Sequence, residues 1–128
     1  MSTDRIQKAV ADYFAAIRAM DTAGWVSTFA EDAINYDPVG APPHRGHAAL
    51  AEFFEGIAGA FEQVGLFEDH VFVSGNEAAV KWTGRGVGKN GREVTFEGID
   101  VFEINDAGKI QNLRAYWNPA AMMAQLQS

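Results

Sequence analysis

Arg92-Glu93-Val94-Thr95-Phe96-Glu97-Gly98-Ile99-Asp100-Val101-Phe102-Glu103-Ile104 decides how this chain folds. Side chains of a strand alternate between faces, so Val94, Phe96, Gly98, Asp100, Phe102 and Ile104 share one side, and Glu93, Thr95, Glu97, Ile99, Val101 and Glu103 the other. The second side already carries three glutamates, which marks it as the wetter face. Asp100 therefore points with the apolar set. Before this strand, Asn90-Gly91 is a two-residue hairpin signal, whose central residues both need positive φ. A preceding strand then runs from about Ala78 to Gly88, and Ser74-Gly75-Asn76 turns it back onto a strand from Leu66 to Val73. After it, Asn105-Asp106-Ala107-Gly108 turns into a last strand from Lys109 to Trp117, which Pro119 is expected to stop. This half of the chain reads as an antiparallel meander.

The N-terminal half has the helical period instead. Ser2 or Thr3 caps a first helix whose buried stripe is Ile6, Val10, Tyr13, Phe14 and Ile17. A second, short helix starts near Asp21-Thr22, carries Trp25 and Phe29 one turn apart, and ends by Glu31-Asp32. Gly40-Ala41-Pro42-Pro43-His44-Arg45-Gly46 reads as a loop, and a third helix follows with Leu50, Phe53, Phe54, Ile57 and Phe61 as its buried face. Three N-terminal helices packed on one face of a curved antiparallel sheet give an α+β class. The expected organisation is a single domain over residues 1–128, since this length suits one ordinary core and shows no linker or repeat.

Composition narrows the partners. Hydrophobic residues at 48% and charged residues at 21% fit a folded, soluble chain without a membrane span. A formal net charge of −7 with scattered Lys and Arg argues against nucleic acid. No cysteine is present, so thiol nucleophiles and thiolate metal sites are excluded. The N-terminus lacks the pattern of a signal peptide, which makes the cytoplasm the expected location.

Chemistry is expected around Asn35-Tyr36-Asp37-Pro38-Val39-Gly40. Proline pushes the residue before it into an extended conformation, so Asp37 ends a strand-like segment with its carboxylate held in a defined direction. Competing readings are an Asp-Pro turn for Asp37 and, for Asp100, a bulge at Gly98 or an ion pair with Arg114. A pocket between helices and sheet would be lined by Phe14, Phe54, Ile57, Val80, Trp82, Phe96, Phe102 and Leu113. Tyr13, Asp100 and Asp37 could point into it. A buried carboxyl without a partner takes up a proton, so Tyr13 and Asp100 would both be hydrogen-bond donors, suited to an oxygen that becomes negative. Asp37, if ionised, is a base, and the trio fits proton abstraction next to a carbonyl.

Asp12-Tyr13-Phe14-Ala15-Ala16, Tyr36-Asp37-Pro38-Val39-Gly40, Gly98-Ile99-Asp100-Val101-Phe102 and Arg114-Ala115-Tyr116-Trp117 resemble, in order and spacing, segments of the bacterial ketosteroid isomerases. The resemblance covers nearly the whole chain. It implies the cone-shaped fold shared with nuclear transport factor 2, a homodimer, and a steroid Δ5-isomerase acting on a small apolar ketone without metal or organic cofactor. It also implies the roles: Asp37 as general base, Tyr13 and a protonated Asp100 as oxyanion donors, and Trp117 as an apolar pocket residue. Phe29 and Phe54 stand where members often carry tyrosines that support the oxyanion tyrosine. The same fold serves polyketide cyclases, dehydratases, epoxide hydrolases and binders of hydrophobic small molecules, so these remain alternatives.

Other features carry less. His44 and His47 flank a loop glycine with no third ligand spaced to join them, and His70 sits in a strand at a polar position. Gly84-Arg85-Gly86-Val87-Gly88 precedes a hairpin rather than a helix, so it implies no phosphate cradle.

Overall fold

The structure, a computed structural model, describes residues 2–127. Helix α1 spans Thr3–Arg18 and is capped by the Ser2 hydroxyl, which accepts from the Arg5 amide; its buried stripe is Ile6, Ala9, Val10, Tyr13, Phe14 and Ile17. Helix α2, Thr22–Ser27, is capped in the same way by Asp21, which accepts from Gly24 N at 3.0 Å. Strand β1 spans Phe29–Tyr36, a short strand β2 (His44–Arg45) lies within the stretch expected as loop, and helix α3 covers Gly46–Ala58. The meander follows as β3 (Phe61–Ser74), β4 (Glu77–Gly88), β5 (Glu93–Ile104) and β6 (Ile110–Trp117). A last helix, α4, spans Pro119–Gln127. The strands form one curved, unclosed sheet in the order β2-β1-β6-β5-β4-β3.

Several local expectations are corrected. Phe29 and Phe61 were placed on helices, but each begins a strand. Their aromatic rings still face the interior, at 1% and 2% exposure, which is why a helical stripe fitted them equally well. The purely antiparallel sheet holds from β3 to β6 and fails at β1, which pairs in parallel with β6. At Asn90-Gly91 only Gly91 has a positive φ, +82°, and the reversal is a three-residue loop, Lys89 to Gly91, closed by Gly88 N to Arg92 O at 2.8 Å. Pro119 ends the strand and also opens a fourth helix. Proline is well suited to a first helical position because its missing N–H would be unpaired there, and Asn118 Oδ1 accepts from Ala121 N at 3.1 Å.

The expected strand facing is confirmed in β5. Val80 pairs with Asp100 and Trp82 with Gly98 in unbroken register, so no bulge turns Asp100 outward. The glycine has another reason. A Cβ on Gly98 would lie 2.6 Å from Trp82 Cζ2, 2.7 Å from Tyr116 O and 2.8 Å from Trp117 Cβ. Two tryptophans can therefore lie against this point of the sheet only because position 98 has no side chain. No helix among the described residues is long and apolar enough to cross a membrane.

Gly98→Ala should force Trp82 or Trp117 out of place. Overpacking of this kind costs about 2 kcal/mol, so a melting temperature lower by roughly 5–10 °C is expected, with a changed tryptophan emission spectrum. An unaltered melting curve and spectrum would show that the indoles do not rest on that backbone.

Candidate active site

The concave side of the sheet, α1 and α3 enclose one mostly apolar cleft. Its walls include Trp25, Phe54, Ile57, Trp82, Phe96 and Trp117, and Met122 of α4 contributes at the end nearest the C-terminus. The cleft holds about 620 Å³ of atom-free space including its open mouth, of which the centre of a water molecule can reach about 70 Å³. Tyr13, Asp37 and Asp100 all line it. The three groups singled out in the sequence are thus brought together.

The aromatic lining divides in two. Phe54, Trp82, Phe96 and Trp117 face the cleft as expected. Phe14 and Phe102 do not: both are 0% exposed and pack edge-on against the Tyr13 ring from behind, with centroids 5.0 Å away. Val80 and Leu113, also expected as lining, are likewise core residues at 0% exposure. Phe102 shares its strand face with Asp100 and Phe96, but it packs on Tyr13 and Phe14 of α1 and so supports the site rather than lining it.

Each acid sits in a different electrostatic setting. Asp100 is 1% exposed, and its Oδ2 has no hydrogen-bond partner among the described residues. Arg114, the cation considered for it, pairs across to Val101 on β5 and bonds Asn112 Oδ1 at 3.1 Å instead. Burial raises the Asp100 carboxyl well above its ordinary range, the neighbouring Asp37 raises it further, and the Trp82 indole opposes this. Its neutral acid form is favoured. Burial also pushes the Tyr13 phenol well up, with Asp100 and Asp37 adding to the rise and the Trp25 indole acting against it. Tyr13 stays a phenol, able to donate.

Asp37 is half-buried and takes a 2.7 Å hydrogen bond from Trp117 Nε1 to its Oδ1. The Asp37-Pro38 peptide is cis, and Val39 N bonds Ala115 O at 2.8 Å, which ties the loop after Asp37 to β6. Burial raises this carboxyl too, but the Trp117 indole, the Asn35 amide and His44 all pull the other way. Asn35 is 0% exposed on the same strand and was missed in the sequence, where a single asparagine two residues before Asp37 gives no sign of burial. Of the three acids, Asp37 is the one equipped to hold a negative charge, and it is also more accessible. An ionised acceptor facing two neutral donors across an apolar cleft can move a proton while stabilising an oxyanion.

None of the three histidines lines the cleft. His44 stacks on Phe53 at 4.2 Å, His47 Nε2 hydrogen-bonds Phe29 O at 2.8 Å, and His70 stacks on Phe72. No group of three or more His, Cys, Asp or Glu side chains among the described residues is placed to hold a metal ion.

Known proteins resemble this arrangement over most of its length. A family model described as a SnoaL-like domain matches residues 10–113. A steroid Delta-isomerase of Nocardioides simplex is 33% identical over 118 residues, which is 92% of this chain and 94% of that protein. Among solved structures, the Δ5-3-ketosteroid isomerase from Mycobacterium sp. superposes with a TM-score of 0.81 at 29% identity, covering 92% of this chain and 96% of that one. SalBIII, an epoxide hydrolase/cyclase-like enzyme with a role in pyran ring formation in the polyether salinomycin, gives 0.82 at 28%, covering 91% and 93%. RV0760c from Mycobacterium tuberculosis, at 24% identity and a TM-score of 0.82 over 95% and 96% of the chains, shows the shared fold alone.

Asp100 gives the protein a stability signature. Its pKa in the folded state lies above the unfolded value, so its contribution is fully present below about pH 3.8 and is lost as pH rises through the raised folded pKa. Asp100→Asn cannot ionise. The melting temperature of the variant minus that of the wild type should therefore grow as pH is raised from 4 toward 8. A difference that stays constant, or shrinks, would mean the carboxyl is not held neutral.

Proposed function

This chain belongs to the SnoaL-like domain family, on the nuclear transport factor 2-like fold, and from that premise we propose that it is a cofactor-independent steroid Δ5-isomerase. The observation that carries the reading is the meeting of Asp37, Tyr13 and Asp100 in one apolar cleft, where burial raises the pKa of all three and the hydrogen bonds to Asp37 set it apart. The substrate would be a 3-oxo-Δ5-steroid. Its skeleton fits the chemistry of Phe54, Trp82, Phe96 and Trp117, which offer apolar faces with few polar atoms. Its ketone oxygen would accept hydrogen bonds from the Tyr13 hydroxyl and the neutral Asp100 carboxyl. Asp37 takes the proton from C4, the electrons move into the C3 oxygen as a dienolate, and the same carboxyl returns the proton to C6. The double bond ends in conjugation with the ketone, and no atom is lost or gained.

The homodimer implied by the resemblance is part of this proposal. The outer face of the sheet supports it, because Ile99 and Tyr116 are paired neighbours there at 45% and 47% exposure and Phe67 lies on the same face at 44%. A cysteine-free chain fits a reducing cytoplasm, where we place it. Similarity to SalBIII favours a second reading, since a base and an acid facing one cleft also suit an acid–base ring closure.

Growth of the conjugated-enone absorbance after mixing protein with a 3-oxo-Δ5-steroid tests the first reading. Asp37→Asn should lower kcat about a thousand-fold with the steroid still bound, since it keeps shape and removes the base. The wild-type kcat/KM should rise with pH as Asp37 loses its proton, with a midpoint above the ordinary 3.8. Undiminished turnover in the variant would sink the assignment of the base; no turnover in the wild type would favour the ring-closing reading.

A further inference from the structure

Tyr13 is surrounded by rings: Phe14, Trp25, Phe29 and Phe102 have centroids within 5.0 to 6.0 Å of its own. Three of the four carry no polar atom. The fourth, Trp25, is 1% exposed, and its Nε1–H has no hydrogen-bond partner among the described residues. A buried donor left unpaired is costly, so one that persists calls for an acceptor that completes it at some stage of function. The Trp25 ring is held firmly, between Phe29 at 4.8 Å and Phe54 at 4.9 Å. It lines the same cleft as Tyr13, with the two rings 5.9 Å apart and inclined at 47°.

A phenol has one proton to give and two lone pairs to accept with. When Tyr13 donates to an oxyanion, charge builds on its own oxygen, and the lone pairs become better acceptors. With phenylalanine at positions 29 and 54, neither of those neighbours can donate to it. We propose that Trp25 is a positioning residue for Tyr13, its indole N–H donating to the Tyr13 hydroxyl oxygen while that hydroxyl donates to an oxyanion held in the cleft. The chain of donors then runs from indole to phenol to ligand. The sense in which Trp25 acts on Tyr13, toward easier loss of the phenolic proton and against the combined effect of burial, Asp100 and Asp37, agrees with this direction of donation. The proposal deepens the isomerase reading and rests on it for the identity of the oxyanion.

The chain has three tryptophans, so a nitrogen-15 correlation spectrum shows three indole N–H signals, which single Trp→Phe variants assign. In the ligand-free protein, where the Trp25 N–H has no partner among the described residues, Tyr13→Phe keeps the ring and should leave the Trp25 indole proton nearly in place. A phenolic A-ring steroid, a mimic of the dienolate, should move that proton downfield in the wild type and leave it in place in Tyr13→Phe. Trp25→Phe should lower kcat on a 3-oxo-Δ5-steroid about ten-fold with KM changed less than about two-fold, because the ring packing survives and only the donor is lost. A wild-type Trp25 indole signal indifferent to the phenol would overturn the proposal, as would an unchanged kcat in Trp25→Phe. If the wild type does not turn the ketone over, the isomerase reading fails while the spectrum with the phenol bound still decides the Trp25–Tyr13 bond. If Trp25→Phe does not fold, Trp82→Phe and Trp117→Phe assign the remaining signal and the spectral test stands.

Discussion

Burial of the Asp100 carboxyl without a cation is the constraint to which the rest of the structure answers. A carboxylate in so dry a place would be very expensive, so the group keeps its proton, and everything around it must tolerate a neutral acid. The sheet makes this possible by holding register through Gly98. A slip of one residue on β5 would send Asp100 to the glutamate-lined face, where it would ionise, and would bring Ile99 and Val101 inward in its place. Trp82 and Trp117 pack over the bare Gly98 backbone, so the glycine that fixes the register also brings two large indoles to the cleft.

Charge is then shared out among three acids within one cleft. Asp37 and Asp100 each raise the pKa of Tyr13, and Asp37 raises that of Asp100, so ionising one discourages the others. The asymmetry comes from hydrogen bonds. Trp117 donates to Asp37 at 2.7 Å, and Asn35 and His44 favour its anion, whereas Asp100 has only the Trp82 indole acting in that sense. Of the three, Asp37 is therefore the group best able to carry a negative charge. Burial is the main reason Tyr13 and Asp100 stay neutral, and taking up a proton on Asp37 would remove only the smaller repulsion it adds. In the proposed isomerisation, protonation of Asp37 would coincide with formation of an oxyanion beside the other two, so the site would exchange one anion for another at nearly constant total charge.

Much of this was legible in the sequence wherever the signal was local. The inward facing of Asp100 followed from alternation, the Ser2 cap from residue type, and the start of α2 near Asp21-Thr22 from its polar residues. Where the signal was ambiguous the reading slipped. Phe29 and Phe61 satisfied a helical stripe and a strand equally well, and Pro119 is both a strand terminator and a good first residue of a helix. The parallel pairing of β1 with β6 depends on contacts some eighty residues apart and leaves no periodic trace. Phe14 and Phe102 were named for the cleft because they neighbour Tyr13 and Asp100, but facing the core and lining a cavity within it are not separable by alternation. Trp25 and Met122 reached the wall of the cleft through packing alone.

Indoles take a particular part in this site. A tyrosine placed beside an oxyanion donor adds a hydroxyl that can both give and accept, and so can be drawn into competing hydrogen bonds. An indole N–H only gives. Each of the three acids has a tryptophan acting on it in the same sense: Trp25 on Tyr13, Trp82 on Asp100, and Trp117 on Asp37. The bond to Asp37 is made in the resting arrangement, while Trp25 and Trp82 hold buried N–H groups with no partner among the described residues. That difference follows the charge. The acid that carries it is already solvated by its indole, and the two neutral acids have donors waiting beside them. Such a cleft is organised around negative charge before any ligand arrives, although its walls are almost wholly apolar.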